Sequence, residues 1–135
     1  ERLSANWRHL IHRLFHTIST GRKALEQLKE WGIDYKTEAF TRFDSSVCYV
    51  IGAEEGDLDR PQLWLDKEGM WPVRLILFHG KERIDLRLTG WRNPVLKGYA
   101  PHTIEILSNG VRQEVHTVES VEMLSAVDPK LFEKP

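Results

Sequence analysis

Three of the six histidines supply the pattern that comes closest to chemistry, because all three fall on one predicted helix. His9, His12 and His16 are spaced at i, i+3 and i+7, so His12 and His16 could bind zinc or copper through imidazole nitrogens. No Asp, Glu or Cys shares that face, and Arg8 and Arg13 would repel a cation. The pattern favours the polar face of an amphipathic helix. The alternatives are a metal site and a cationic surface for anionic lipid headgroups or an acidic partner.

Other reactive residue types do not form an interpretable site in the sequence. The acidic segment Glu54–Asp59 lacks the ligand order and closing Glu of a calcium loop, which favours a solvated loop. Cys48 is the only cysteine and lies in an apolar run, so we expect a buried small hydrophobe. No nucleophile elbow, phosphate loop, dinucleotide fingerprint or zinc-protease helix occurs. We therefore predict a protein that is not an enzyme, with no catalytic residues, no metal and no cofactor.

Composition places the chain among ordinary globular domains. It has 135 residues, 41% hydrophobic and 29% charged, which predicts one domain over residues 1–135. The formal net charge of −1 does not favour binding to nucleic acid. No apolar run approaches the ~18 residues of a membrane span, and no signal peptide is visible. Because the sequence begins without Met, we interpret it as a mature form or an excised piece.

Two helices are predicted in residues 1–33. The first runs from Ser4 to about Ser19, and the second from about Gly21 to Trp31, where Gly32 and Ile33 form a left-handed stop. The first helix needs a partner surface on the sheet or on another chain, because one face is apolar at helical spacing. That stripe consists of Trp7, Leu10, Ile11, Leu14, Phe15 and Ile18.

Residues 34–135 change to a period of two and predict an antiparallel meander of six or seven strands. The fold class is therefore α+β, with the helical pair packed on one face of the sheet. Asn109-Gly110 is the strongest hairpin signal, since both central residues of a type I′ turn need positive φ. The segment from Trp71 to His79 is apolar on both faces, which predicts a cover on each side of the sheet.

Several short motifs resemble the periplasmic lipoprotein-carrier (LolA-like) superfamily and its bacterial relatives. The motifs cover about residues 47–135 and consist of residue types that favour strands and turns. The resemblance is best described as one to a protein of the outer-membrane lipoprotein-sorting type. The matching segments are Pro61–Lys67, Trp71–Leu75, Gly90–Arg92, Gly98–Glu105, Val118–Glu122 and Val127–Phe132.

This resemblance implies a curved, half-open antiparallel sheet with helices in its concave face and an apolar ligand between them. Carriers of that superfamily have further strands before the helices, so the chain is expected to be the C-terminal portion of a longer protein. The resemblance implies no catalytic residue in this chain, since proteins of the superfamily bind ligands and do not catalyse a reaction.

We therefore predict non-enzymatic binding of a lipid, an acyl chain or a lipidated partner in the periplasm or at the bacterial outer membrane. The alternative is a protein-interaction or structural module that associates through its N-terminal helix or a sheet edge, for example as a homodimer. Some aromatic residues could simply form the core rather than a groove. The predicted groove residues are Trp7, Ile11, Phe15, Trp64, Trp71, Leu75, Leu77, Ile84, Leu86 and Ile104.

Overall fold

The computed structural model describes residues 24–96 and 100–119 of the chain. Contacts divide the chain into two compact units, one of which, Leu28–Val121, holds every described strand. The other unit combines Glu1–Gln27 with Glu122–Pro135. The prediction of one domain over residues 1–135 stays a prediction, and the sheet described below belongs to the strand-bearing unit. Within the described ranges, no helix is both long enough and apolar enough to cross a membrane.

Helix α1 spans Ala24–Glu30, which lies within the range predicted for the second helix. Its end is a Schellman motif. Gly32 has a φ of 76° and its N–H donates to the Lys29 carbonyl, while the Ile33 N–H donates to the Leu28 carbonyl at 2.9 Å. Leu28 and Ile33 are both buried, as the apolar contact of this motif requires. The first predicted helix, residues 4–19, lies outside the described residues.

Seven strands follow in a simple antiparallel meander, so that each strand pairs with the next in sequence. The predicted antiparallel sheet is thus confirmed, and among the described strands it is open, with β1 and β7 outermost. The strands are β1 (Glu38–Phe43), β2 (Ser46–Ile51), β3 (Gln62–Asp66), β4 (Pro72–His79), β5 (Glu82–Thr89), β6 (Thr103–Ser108) and β7 (Val111–Thr117).

Two tight hairpin turns use residues that tolerate positive φ. Asn109 and Gly110 have φ of 50° and 84°, which confirms the predicted hairpin between β6 and β7. Asp44 and Ser45, with φ of 53° and 69°, form the equivalent turn between β1 and β2. Positive φ at both central residues matches the twist of the flanking strands, and therefore sets their register.

Strand β6 begins later than the sequence predicts. Alternation indicates a strand from about Gly98, whereas the structure starts it at Thr103. Pro101 explains the difference for the residues next to it, because proline has no N–H to donate to a neighbouring strand. Residues 97–99 lie outside the described residues.

Strand β4 is the centre of the sheet and is buried on both faces from Pro72 to Leu77. This confirms the prediction of two-sided burial for most of the segment from Trp71 to His79, although Trp71 and Phe78 are half-buried and His79 is exposed. Leu75 and Ile76 are adjacent residues that point to opposite faces, and both have no exposed surface. Each face of the central strand therefore packs against other parts of the protein.

Among the glycines that the structure describes, Gly52, directly after β2, is expected to be the least replaceable. Its φ is +113°, and an added Cβ would lie 2.6 Å from the Pro61 carbonyl oxygen and 2.9 Å from Ile33 Cγ2. We expect Gly52→Ala to lower the free energy of unfolding by about 2–3 kcal/mol, measured by denaturant titration.

Gly56→Ala is the matched control for this substitution. Gly56 also has positive φ, +89°, but an added Cβ there would meet no atom within 4 Å. Gly56→Ala is therefore expected to lower the free energy of unfolding by about 1 kcal/mol, through backbone strain alone. Equal losses for the two variants would contradict the close contact at Gly52.

Candidate functional site

One face of the sheet is lined by aliphatic side chains from four adjacent strands. Register pairs Leu75 with Leu63 on β3 and with Leu86 on β5, and Leu86 in turn pairs with Ile106 on β6. None of these side chains is more than 8% exposed, and no charged residue interrupts them. We call this surface the aliphatic face. It consists of Leu63, Leu75, Leu77, Ile84, Leu86, Leu88, Ile104 and Ile106.

Five of the predicted groove residues meet on this aliphatic face: Leu75, Leu77, Ile84, Leu86 and Ile104. Trp64 does not join them, because it pairs with Val50 and Arg74 on the opposite face. Trp71 precedes β4 at one end of the sheet, where its ring stacks on Trp91. Trp7, Ile11 and Phe15 lie outside the described residues.

The aliphatic face ends in polar residues at β7. Ile104 and Ile106 pair with His116 and Glu114, whose side chains form a 2.9 Å ion pair or hydrogen bond. On the other side the face continues to Ile51, the partner of Leu63 on β2. Ile51 in turn pairs with Glu38 on β1, so polar residues bound the aliphatic face at both outermost strands, and its centre lies on β4 and β5.

The opposite face carries a buried ion pair that sequence reasoning missed. Arg74 donates from Nε to Asp85 Oδ1 at 3.0 Å and from Nη2 to Asp85 Oδ2 at 2.7 Å, with side-chain exposures of 9% and 4%. Arg87 Nη2 also reaches Asp85 Oδ2, at 3.3 Å. The available signal was a charged residue between two aliphatic residues in each of two neighbouring strands, in Val73-Arg74-Leu75 and Ile84-Asp85-Leu86.

Trp64 covers the guanidinium of this buried pair. The Arg74 Cζ atom lies 4.6 Å from the centroid of the Trp64 ring, a cation–π geometry. The Trp64 Nε1–H donates to Gln62 Oε1 at 2.8 Å, and Gln62 Nε2 in turn donates to the carbonyls of Asp57 and Arg60. Because Arg74, Trp64 and Gln62 each have polar or aromatic partners, we interpret these contacts as a structural network that orders the opposite face.

A small cavity of about 160 Å³ opens at the end of the sheet where three turns meet. The β1–β2 turn contributes Asp44, β3 contributes Asp66, and the loop after β5 contributes Trp91 and Arg92. Trp71, before β4, supplies a further wall. The cavity combines aromatic rings with carboxylates, which the aliphatic face lacks, and the two surfaces meet at Leu88.

Neither Cys48 nor the described acidic groups form a reactive or metal-binding centre. Cys48 has no exposed surface, which confirms the prediction of a buried small hydrophobe. Burial raises the pKa of its thiol and the Asp66 carboxylate raises that pKa further, so the thiol stays protonated and unreactive. In residues 24–96 and 100–119, no three His, Cys, Asp or Glu side chains are grouped as a metal ion would need. His9, His12 and His16 lie outside these ranges.

Comparison with known proteins adds no further constraint on the site. No protein-family model, no curated protein and no solved structure matches this chain. Function therefore has to be inferred from the aliphatic face, the opposite face and the cavity at the end of the sheet.

Proposed function

We propose that the protein binds an acyl chain, from a lipid or a lipidated partner, on its aliphatic face and performs no reaction on it. The observation that carries this proposal is the aliphatic face itself, with eight side chains from four neighbouring strands and no charge among them. The resemblance of the strand motifs to lipoprotein carriers supports the same function. The same resemblance supports a location in the periplasm or at the outer membrane of a bacterium.

The architecture that suits this function is a half-open, curved sheet with two N-terminal helices on one face. In this proposal the amphipathic segment 4–19, with Trp7, Ile11 and Phe15, supplies the second wall of an apolar groove. An acyl chain would replace part of that cover. Since burying a CH₂ group contributes about 0.8 kcal/mol, the affinity should rise steadily with chain length.

A matched pair of substitutions tests the assignment to this face. Ile84 lies on the aliphatic face and Ile76 lies on the opposite face, and both are buried. Threonine keeps the β-branched shape that suits a strand, but it has a hydroxyl where isoleucine has an ethyl group. We expect Ile84→Thr to weaken binding of a fluorescent fatty acid about five- to thirty-fold, equivalent to about 1–2 kcal/mol, and Ile76→Thr to leave it unchanged.

Both threonine variants must be compared at equal fractions of folded protein, because each removes a buried apolar group. Unfolding curves recorded beside the titrations supply that correction. Equal weakening by both variants, or no binding of the fatty acid by the unaltered protein, would contradict the proposal.

A second candidate function is association with another protein chain through a sheet edge. The outermost strands carry exposed apolar side chains: Phe40 on β1 is 55% exposed, and Val111 and Val115 on β7 are 62% and 46% exposed. Edge strands with exposed apolar groups favour pairing between chains. The solution mass separates the candidates, since edge pairing predicts a dimer whereas acyl binding alone does not require one.

A further inference from the structure

The cavity at the end of the sheet has a rigid aromatic wall. The rings of Trp71 and Trp91 are stacked, with centroids 5.9 Å apart and an interplanar angle of 13°. Trp91 is held in place because its Nε1–H donates to the Pro72 carbonyl at 2.7 Å and to the Leu88 carbonyl at 3.1 Å. An added Cβ at Gly69 would lie 2.3 Å from the Trp71 ring, so glycine at this position leaves room for the ring. The aromatic wall is thus positioned before any ligand arrives.

The Trp71 ring already attracts a cation within its own chain. The Arg92 Cζ atom lies 5.3 Å from the ring centroid, which is within cation–π range. Arg92 is also tied to Glu68 by a 2.9 Å ion pair, but the two side chains are 64% and 81% exposed. An exposed pair of this kind contributes at most about 1 kcal/mol, so the guanidinium can be displaced from the ring.

Carboxylates supply the negative charge of the cavity. Asp44 and Asp66 both line it, and Arg92 is the only cationic side chain among its lining residues. Asp66 is held in position because the N–H groups of Glu68 and Gly69 donate to its Oδ2 at 3.0 and 2.7 Å. A second cavity, of about 330 Å³, shares Asp66 and Ser46 with the first, and it adds one anionic side chain, Glu68, and one cationic side chain, Lys67. When Arg92 moves aside, the site is net negative.

We propose that this cavity binds an alkylammonium group, with the Trp71 ring as the cation–π platform and Arg92 as an internal competitor. An aromatic wall beside carboxylates is the chemistry that recognises quaternary ammonium ligands. The size agrees, because a cavity of about 150 Å³ holds a ligand of about six heavy atoms such as benzene, and this cavity measures about 160 Å³. The proposal does not depend on acyl binding at the aliphatic face.

Titration with tetramethylammonium chloride at constant ionic strength tests the site, read by NMR from the Trp91 indole N–H. We expect saturable shifts in the unaltered protein. Trp71→Leu should weaken binding about five- to thirty-fold, which corresponds to a loss of about 1–2 kcal/mol. Arg92→Gln should tighten it about two- to five-fold, because it removes the competitor from an exposed site without removing a buried contact.

Two asparagine substitutions separate the cavity charge from the overall charge of the protein. Asp44→Asn should weaken binding, whereas Asp59→Asn, an exposed aspartate in the β2–β3 loop at the other end of the sheet, should leave it unchanged. Unaltered affinity in both Trp71→Leu and Arg92→Gln would overturn the proposal. So would equal weakening by the two asparagine variants.

Two further probes identify the source of the ammonium group. Choline chloride represents a free small molecule, and monomeric dihexanoylphosphatidylcholine represents a lipid headgroup. Tighter Trp71-dependent binding of the phospholipid would assign the cavity to headgroups, and tighter binding of choline would assign it to a soluble metabolite. Ile84→Thr should leave both affinities unchanged, so a failure of acyl binding and a failure of this site are distinguishable.

Discussion

Replacing Asp85 by alanine is expected to lower the free energy of unfolding by about 3–5 kcal/mol. The carboxylate accepts two hydrogen bonds from Arg74, and both side chains are almost fully buried. Without Asp85 the Arg74 guanidinium would stay in the interior beside the Trp64 ring and the like-charged Arg87, and an uncompensated buried charge is costly. Denaturant unfolding followed by tryptophan fluorescence measures the loss.

The cost of Asp85→Ala should come from the orphaned charge and not from the lost attraction. The double variant Arg74→Met with Asp85→Leu should therefore recover most of the stability, since a well-packed apolar pair replaces buried ion pairs at little cost. Arg60→Ala provides the exposed comparison, because it breaks an ion pair with Asp57 in which the Arg60 side chain is 65% exposed. Its expected loss is at most about 1 kcal/mol. If Asp85→Ala lowered the free energy of unfolding as little as Arg60→Ala does, the result would contradict a buried ion pair between Arg74 and Asp85.

Leu86→Ala is expected to lower the free energy of unfolding by about 2–5 kcal/mol. Leu86 is 1% exposed and lies at the centre of the aliphatic face between Leu75 and Ile106. Truncation removes buried methyl groups and leaves a cavity that the rigid strands on both sides cannot close. Thermal or denaturant unfolding gives the value.

Val115→Ala on β7 is the comparison for Leu86→Ala. Val115 is 46% exposed on an outermost strand, so its truncation should change the free energy of unfolding by less than about 0.5 kcal/mol. If the two substitutions had similar effects, the aliphatic face would not be the core of the sheet.

Alternation of residue types was enough to predict most of the sheet. Ile84, Leu86 and Leu88 share one face, and Asp85 and Arg87 the other, because side chains alternate along a strand whatever the tertiary structure. The turn at Asn109-Gly110 was equally predictable from local φ preferences. These features depend on neighbouring residues only, which is why one sequence suffices.

The alignment of neighbouring strands and the burial of each face of the sheet could not be predicted from alternation. Alternation placed Asp85 on the face away from Ile84, but it could not show that this face is also buried or that Arg74 is its partner. That pairing requires the alignment of β4 against β5, which depends on tertiary packing. The same limit applies to two of the predicted groove residues, because aromatic character does not indicate on which face of a sheet a side chain lies. The structure places Trp64 on the opposite face and Trp71 at one end of the sheet.

Contacts between a bound acyl chain and individual isoleucine methyl groups test acyl binding most directly. With isoleucine δ1-methyl groups labelled, addition of laurate should produce nuclear Overhauser effects from its methylene protons to Ile84, Ile104 and Ile106. Ile76, on the opposite face of the same sheet, should show none. Contacts to Ile76 with none to the other three, or no contacts at all at saturating laurate, would contradict binding at the aliphatic face.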